Sequence, residues 1–123
     1  MASCRLSGGE IVMETVTVDQ LYPRWLVARE NNRPFTLVDV RSPDEFKARH
    51  VPGAKLIALN TLMARANEIP KEGDVYLICH SGARSAQAAM YLQQQFGYDN
   101  LINVDGGTMA WANGGYPVEQ SSE

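Results

Sequence analysis

Residues 75–89 read Val75-Tyr76-Leu77-Ile78-Cys79-His80-Ser81-Gly82-Ala83-Arg84-Ser85-Ala86-Gln87-Ala88-Ala89. The first four are apolar without alternation and come after a turn at Gly73, the signature of a short strand covered on both faces of a parallel sheet. From Arg84 to Phe96 the spacing turns helical. Ala86, Ala89, Met90 and Tyr91 are expected to face inward, the run Gln93-Gln94-Gln95 outward, and Gly97 to cap the end. A strand, a short loop and a helix in direct succession form half of a βαβ unit.

The rest of the chain supplies the other elements. Upstream, Thr36-Leu37-Val38-Asp39-Val40 is a β-branched run that predicts a buried strand. Ser42-Pro43-Asp44-Glu45 opens a helix, with Ser42 as N-cap, Pro43 at the first helical position and Glu45 closing a capping box. Pro52-Gly53 keeps that helix short. Residues 60–68 are helix-like, with Leu62, Met63, Ala66 and Ile69 on an apolar face. Nearer the start, Thr17 and Gln20 form a second capping box, with Val16 and Leu21 spaced as a hydrophobic staple. Pro23 is expected to divide the segment into a short turn and a main helix from Pro23 to Arg29, ended by Asn31 and Asn32. Downstream, Leu101 to Val104 predicts another strand, then Gly106-Gly107 and a helical stretch around Met109 to Ala112. Strands alternating with helices specify an α/β fold, a central and mostly parallel β-sheet flanked by helices.

Length and composition are consistent with one such domain. The chain has 123 residues, 45% hydrophobic and 20% charged, with 11 Lys plus Arg against 14 Asp plus Glu for a net charge of −3. That balance gives no footprint for nucleic acid and no polybasic membrane patch. Two cysteines are too few for a disulfide scaffold, and no His/Cys/Asp cluster has metal-ligand spacing. No targeting segment or membrane-length apolar run is visible, which predicts a cytoplasmic protein with reduced thiols. The expected division is a flexible tail over 1–13, the folded domain over 14–118 and a frayed end over 119–123. Cys4, in the first tail, is read as a bystander thiol.

The chemistry concentrates in the loop after Ile78. In open α/β sheets ligands bind beyond the carboxyl ends of the strands, where Cys79 falls. A lone cysteine after an apolar strand is ordinarily a small buried hydrophobe. Here it comes with a glycine three residues on, an arginine two further, and then a helix. Backbone N–H groups of a tight turn and the positive end of the helix stabilise a thiolate, the nucleophilic form of the residue. Gly82 allows the turn, and Arg84 offers a two-pronged donor to an anion.

Cys79-His80-Ser81-Gly82-Ala83-Arg84-Ser85 resembles the active-site loop of single-domain rhodanese-like sulfurtransferases. Val38-Asp39-Val40-Arg41, the stretch from Phe46 through His50 to Pro52-Gly53-Ala54, and Val104-Asp105-Gly106-Gly107 with Trp111, Gly115 and Pro117 are similar to further motifs of that family. The resemblance spans about Thr15 to Val118. It implies that Cys79 takes a sulfane sulfur from thiosulfate or a related donor as a persulfide and yields it to cyanide or a thiol. It implies no cofactor and no metal. The acceptor is a small thiol, thioredoxin or another sulfur-carrier protein, without nucleic acid or membrane. Cys79 is then catalytic, and His80, Ser81, Gly82, Ala83, Arg84 and Ser85 bind substrate. Asp39, Arg41 and His50 give structural support, and Trp111 is a core aromatic. Two rivals remain: a cysteine-dependent phosphatase or arsenate-reductase-like enzyme, and a non-catalytic rhodanese-like interaction module. The first needs five residues between cysteine and arginine, whereas four separate Cys79 from Arg84.

Overall fold

The apolar run Val75–Ile78 is buried at every position because it is the middle strand of the sheet. The computed structural model describes Cys4–Arg5 and residues 11–121. Two short strands, β1 (Cys4–Arg5) and β2 (Ile11–Val12), pair antiparallel with one another. The expected flexible tail thus contains a hairpin-like pairing, and the side chain of Cys4, with its bystander reading, lies outside the described part. The main sheet has β3 (Glu14–Thr17), β4 (Thr36–Asp39), β5 (Lys55–Leu56), β6 (Val75–Ile78) and β7 (Leu101–Asp105) in the order β3-β7-β6-β4-β5. Every pairing in it is parallel.

Helices cover both faces. On one side α1 (Val18–Glu30) and α5 (Gly107–Asn113) pack Leu21, Trp25 and Trp111 against Tyr76, Ile78, Ile102 and Val104. On the other, α3 (Leu62–Arg65) and α4 (Ala83–Phe96) pack Leu62, Ala88, Ala89 and Leu92 against Val38, Val75, Leu77 and Leu101. The alternation Val75/Leu77 against Tyr76/Ile78 explains the unbroken apolar run: each face of β6 has its own core. The short α2 (Pro43–Ala48) has no fully buried residue.

Both capping boxes form, Thr17 with Gln20 and Ser42 with Glu45. Four other expectations are corrected. Pro23 does not divide α1, which runs unbroken from Val18 to Glu30. The bond it forfeits is to the carbonyl of Asp19, an exposed residue whose oxygen water can satisfy, while buried Leu21, Trp25 and Ala28 anchor the same face on both sides of it. In the 59–68 segment, two 3₁₀ turns flank the single turn of α3, and Met63 is 70% exposed. The inward stripe there is Leu62, Ala66 and Ile69, and Met63 lies one residue out of phase. On α4 the buried stripe is Ser85, Ala88, Ala89, Leu92 and Gln93, so Met90 is exposed and Gln93 is not. Of the segment expected to fray, the described residues 119 and 121 hold bonds: His50 and Glu119 exchange backbone hydrogen bonds, each of 2.9 Å, and Ser121 N–H donates to the Lys47 carbonyl. Among the described residues no helix is long and apolar enough to cross a membrane.

Candidate active site

Cys79 comes directly after β6, and Gly82 begins the helix that carries the chain away. Gly82 sits at φ 110°, the left-handed region in which a β-carbon is strained, and its N–H donates to Cys79 Sγ at 3.1 Å. The Ser85 hydroxyl, fully buried one turn into α4, lies 3.4 Å from the same sulfur. Burial works against a thiolate at Cys79. The hydroxyl and N–H of Ser85 and the N–H groups of Gly82 and Ser81 outweigh it, and the thiol is held below its ordinary range. Cys79 is 1% exposed, so a reactant reaches the sulfur only through the mouth of the loop. His80 and Ser81 are exposed there, and so is Ala83.

The loop is held from behind by a second one. The carbonyls of Cys79, His80 and Ser81 accept from the N–H groups of Thr108, Met109 and Gly106 at 2.8, 3.0 and 3.1 Å. These contacts require Gly107 (φ 59°): a β-carbon there would stand 2.4 Å from the Cys79 carbonyl oxygen and 2.5 Å from that of His80. Asn103, a buried amide between the apolar Ile102 and Val104 of β7, donates to the Gly82 carbonyl at 3.3 Å. Its Oδ1 lies 2.5 Å from the Ser85 hydroxyl. Sequence reasoning missed both Asn103 and the bracing role of Gly106-Gly107. The one signal for Asn103 is a polar residue inside a strand.

Arg84 does not stand free. Its guanidinium grips Glu45 of α2 through two hydrogen bonds of 2.8 and 2.9 Å. The Arg84 hydrogen bonds pull the Glu45 carboxyl down to about 2, against partial burial and with help from the Ser42 cap. Glu45 is legible in the sequence only as a cap, and in the structure it also neutralises the loop arginine.

The three expected supporting residues lie along β4 and the link that leaves it through α2. Asp39, at the carboxyl end of β4, receives Arg41 in a fork, Nε at 2.9 Å and Nη2 at 2.8 Å, with the Arg41 N–H adding a third bond at 3.0 Å. Both are buried, and Arg41 also donates to the Arg49 carbonyl at 2.8 Å. His50 stacks on Phe46 at 3.8 Å. Its Nδ1 lies 2.7 Å from the Phe46 carbonyl oxygen, and its Nε2 lies 3.1 Å from the Glu119 carboxylate. It therefore ties α2 to the chain end, away from the sulfur-facing groups. Trp111 is fully buried in the α1/α5 core.

A parallel sheet that offers one buried thiol to a ring of N–H donors at a helix N-terminus defines a class of nucleophilic α/β domain. Residues 22–114 match the rhodanese-like domain family, and the chain belongs to it. A protein of Allochromatium vinosum named sulfurtransferase is 45% identical over 82 residues, 67% of this chain and 76% of that protein. A putative sulfur carrier protein of Bacillus subtilis, YrkF, is 37% identical over 82 residues, and the match spans 44% of its length. Among solved structures, a rhodanese-like domain protein from Staphylococcus aureus superposes with a TM-score of 0.75 at 34% identity. That match covers 89% of this chain and all of the other.

Proposed function

We propose that this rhodanese-like domain transfers a sulfane sulfur from thiosulfate or a related donor to cyanide or a thiol acceptor through a Cys79 persulfide. The observation that carries the reading is the convergence of Ser81, Gly82 and Ser85 donors on one buried sulfur held below its usual range. The Cys79 thiolate attacks the outer sulfur of the donor. The S–S pair of electrons leaves with sulfite, and the new persulfide carries the negative charge. Cyanide or a thiolate then takes the terminal sulfur and returns Cys79 as thiolate, so the cycle needs no redox partner. The same N–H groups that hold the thiolate suit the persulfide anion. Acceptors of this chemistry include small thiols, thioredoxin and other sulfur carriers. A reducing cytoplasm would keep the thiol available.

The test is intact-mass measurement after incubation with thiosulfate. A gain of one sulfur atom that cyanide removes, and that Cys79→Ser never shows, is the expected result. Absence of the gain in the native chain, or its survival in Cys79→Ser, overturns the proposal.

A further inference from the structure

The turn that ends α1 sets two arginines on one cleft. Asn32 takes the left-handed position (φ 54°), and the N–H groups of Asn32 and Arg33 donate to the carbonyls of Arg29 and Ala28 at 3.2 and 2.8 Å. The N–H and side-chain amide of Asn31 cover the Val27 carbonyl at 3.0 and 2.8 Å. The negative end of α1 is thereby satisfied within its own turn. The chain doubles back, so that Arg29 and Arg33 line the same cleft, of about 360 Å³. Trp25, Phe35 and Leu37 give it an apolar wall, Pro52-Gly53 lies across from them, and no carboxylate lines it. Phe35 stacks on Tyr76 with one face, at 5.0 Å and 17°, and Tyr76 is not part of the cleft, so Phe35 meets the cleft by another side.

Neither guanidinium is neutralised. In a chain of net charge −3, Arg41, Arg65 and Arg84 each hold a carboxylate. Arg29 and Arg33, both exposed, form no ion pair among the described residues. Arg29 instead lies over the Trp25 ring at 4.9 Å, and a β-carbon on Gly53 would stand 3.4 Å from its Nη1. Ring and turn together seat the guanidinium and leave its N–H edge without an acceptor among the described residues. The cleft is also separate from the sulfur. Phe35 precedes β4 and Leu37 packs on the α1 face, whereas Cys79 follows the far end of β6. From the pair Thr36–Val75 to the pair Asp39–Ile78 the two strands run about 10 Å.

We propose that this cleft binds an aromatic phosphate monoester, its ring against Phe35 and its dianionic phosphate gripped by Arg29 and Arg33. Two guanidiniums without carboxylates balance two negative charges, and a planar fork meets two phosphate oxygens at once. An apolar wall with a few convergent polar groups, in a volume within about 300–1,000 Å³, is the make-up of a small-molecule site. The site lies outside the sulfur-transfer reading and does not depend on it.

The experiment is isothermal titration calorimetry of the full chain with phenyl phosphate, inorganic phosphate, benzoate and benzyl alcohol. Phenyl phosphate is expected to bind one to one. It should bind at least about tenfold more tightly than inorganic phosphate, which lacks the ring, and than benzoate, which carries a single charge. Benzyl alcohol should show no binding at the same concentrations. Arg29→Gln and Arg33→Gln should each weaken phenyl phosphate at least about tenfold, the loss of hydrogen bonds to a charged group. Arg33→Gln disturbs no packed ring, so it carries the test should Arg29→Gln unfold earlier than the native chain. Arg84→Gln, at the reactive loop, should leave the affinity as it is. Absence of phenyl phosphate binding, an affinity indifferent to both cleft variants, or one lost in Arg84→Gln overturns the proposal. So does inorganic phosphate or benzoate binding as tightly as phenyl phosphate. None of these outcomes bears on sulfur loading at Cys79, which the intact-mass test reads separately.

Discussion

Replacing Gly107 by alanine asks whether the second loop sets the position of the sulfur. The new β-carbon would lie 2.4 Å from one backbone carbonyl oxygen and 2.5 Å from the next. Neither belongs to a side chain that can swing away, so the Cys79–Ser81 loop must retreat by about 1 Å. That retreat breaks the hydrogen bonds from Thr108 and Met109 to the loop, now 2.8 and 3.0 Å. Two bonds at about 1 kcal/mol each, and about 1 kcal/mol for alanine in the left-handed region, give a loss of about 3 kcal/mol. Thermal unfolding should then fall by about 10 °C. A sulfur misplaced by 1 Å should also load from a donor about 100-fold more slowly. Gly97→Ala is the matched control, since Gly97 has φ 73° but nothing within 4 Å of the added carbon. It should show only the conformational cost, with normal loading. If Gly107→Ala unfolds with Gly97→Ala and loads sulfur at the native rate, the loop is not braced in this way.

Ser85→Ala removes a hydroxyl that favours the Cys79 thiolate. Without that hydrogen bond to its charged form, the thiol should move up towards its ordinary range. Because the native thiol lies below its ordinary range, alkylation by iodoacetamide should persist to lower pH in the native chain than in the variant. Coincident pH profiles would remove Ser85 from the sulfur's environment. At the buried pair, Arg41→Ala takes the guanidinium from Asp39 and leaves it only the backbone N–H of residue 41, and should cost about 3 kcal/mol by denaturant unfolding. An intact fold with unchanged midpoint would show that the pair contributes nothing.

The elements legible in the sequence are those whose signal is local. Ser42-Pro43-Asp44-Glu45 writes its helix start in four residues, and Gly97 its helix stop in one. The sequence misleads where tertiary contacts decide. The buried stripe of α4 begins at a polar residue, Ser85, which the sulfur needs inside, whereas apolarity alone points to Met90 and turns the helix out of phase. Pro23 reads as a break because the packing of Leu21 and Trp25 on both sides of it is not visible in the chain. In the site, Cys79 and Gly82 announce themselves by spacing within one loop. Glu45 and Asn103 reach that loop from 39 and 18 residues away, and Gly107 reaches it from beyond the end of β7. No spacing rule links any of the three to it.

The location of the site is a consequence of chirality. Right-handed crossovers oblige connections that move one way across a parallel sheet to cover one face, and those that move the other way to cover the opposite face. From β3 to β4 the chain crosses towards β5 and lays α1 on one face; from β6 to β7 it moves back and lays α4 on the other. Val51, in the link that leaves β4 through α2, packs with the α1 side. The chain therefore departs β4 and β6, which are neighbours, towards opposite faces, and a crevice must open between their carboxyl ends. The bond between Arg84 and Glu45 spans that crevice from α4 to α2. With Asp39 and Arg41 also paired within it, the crevice offers backbone N–H groups rather than free charge.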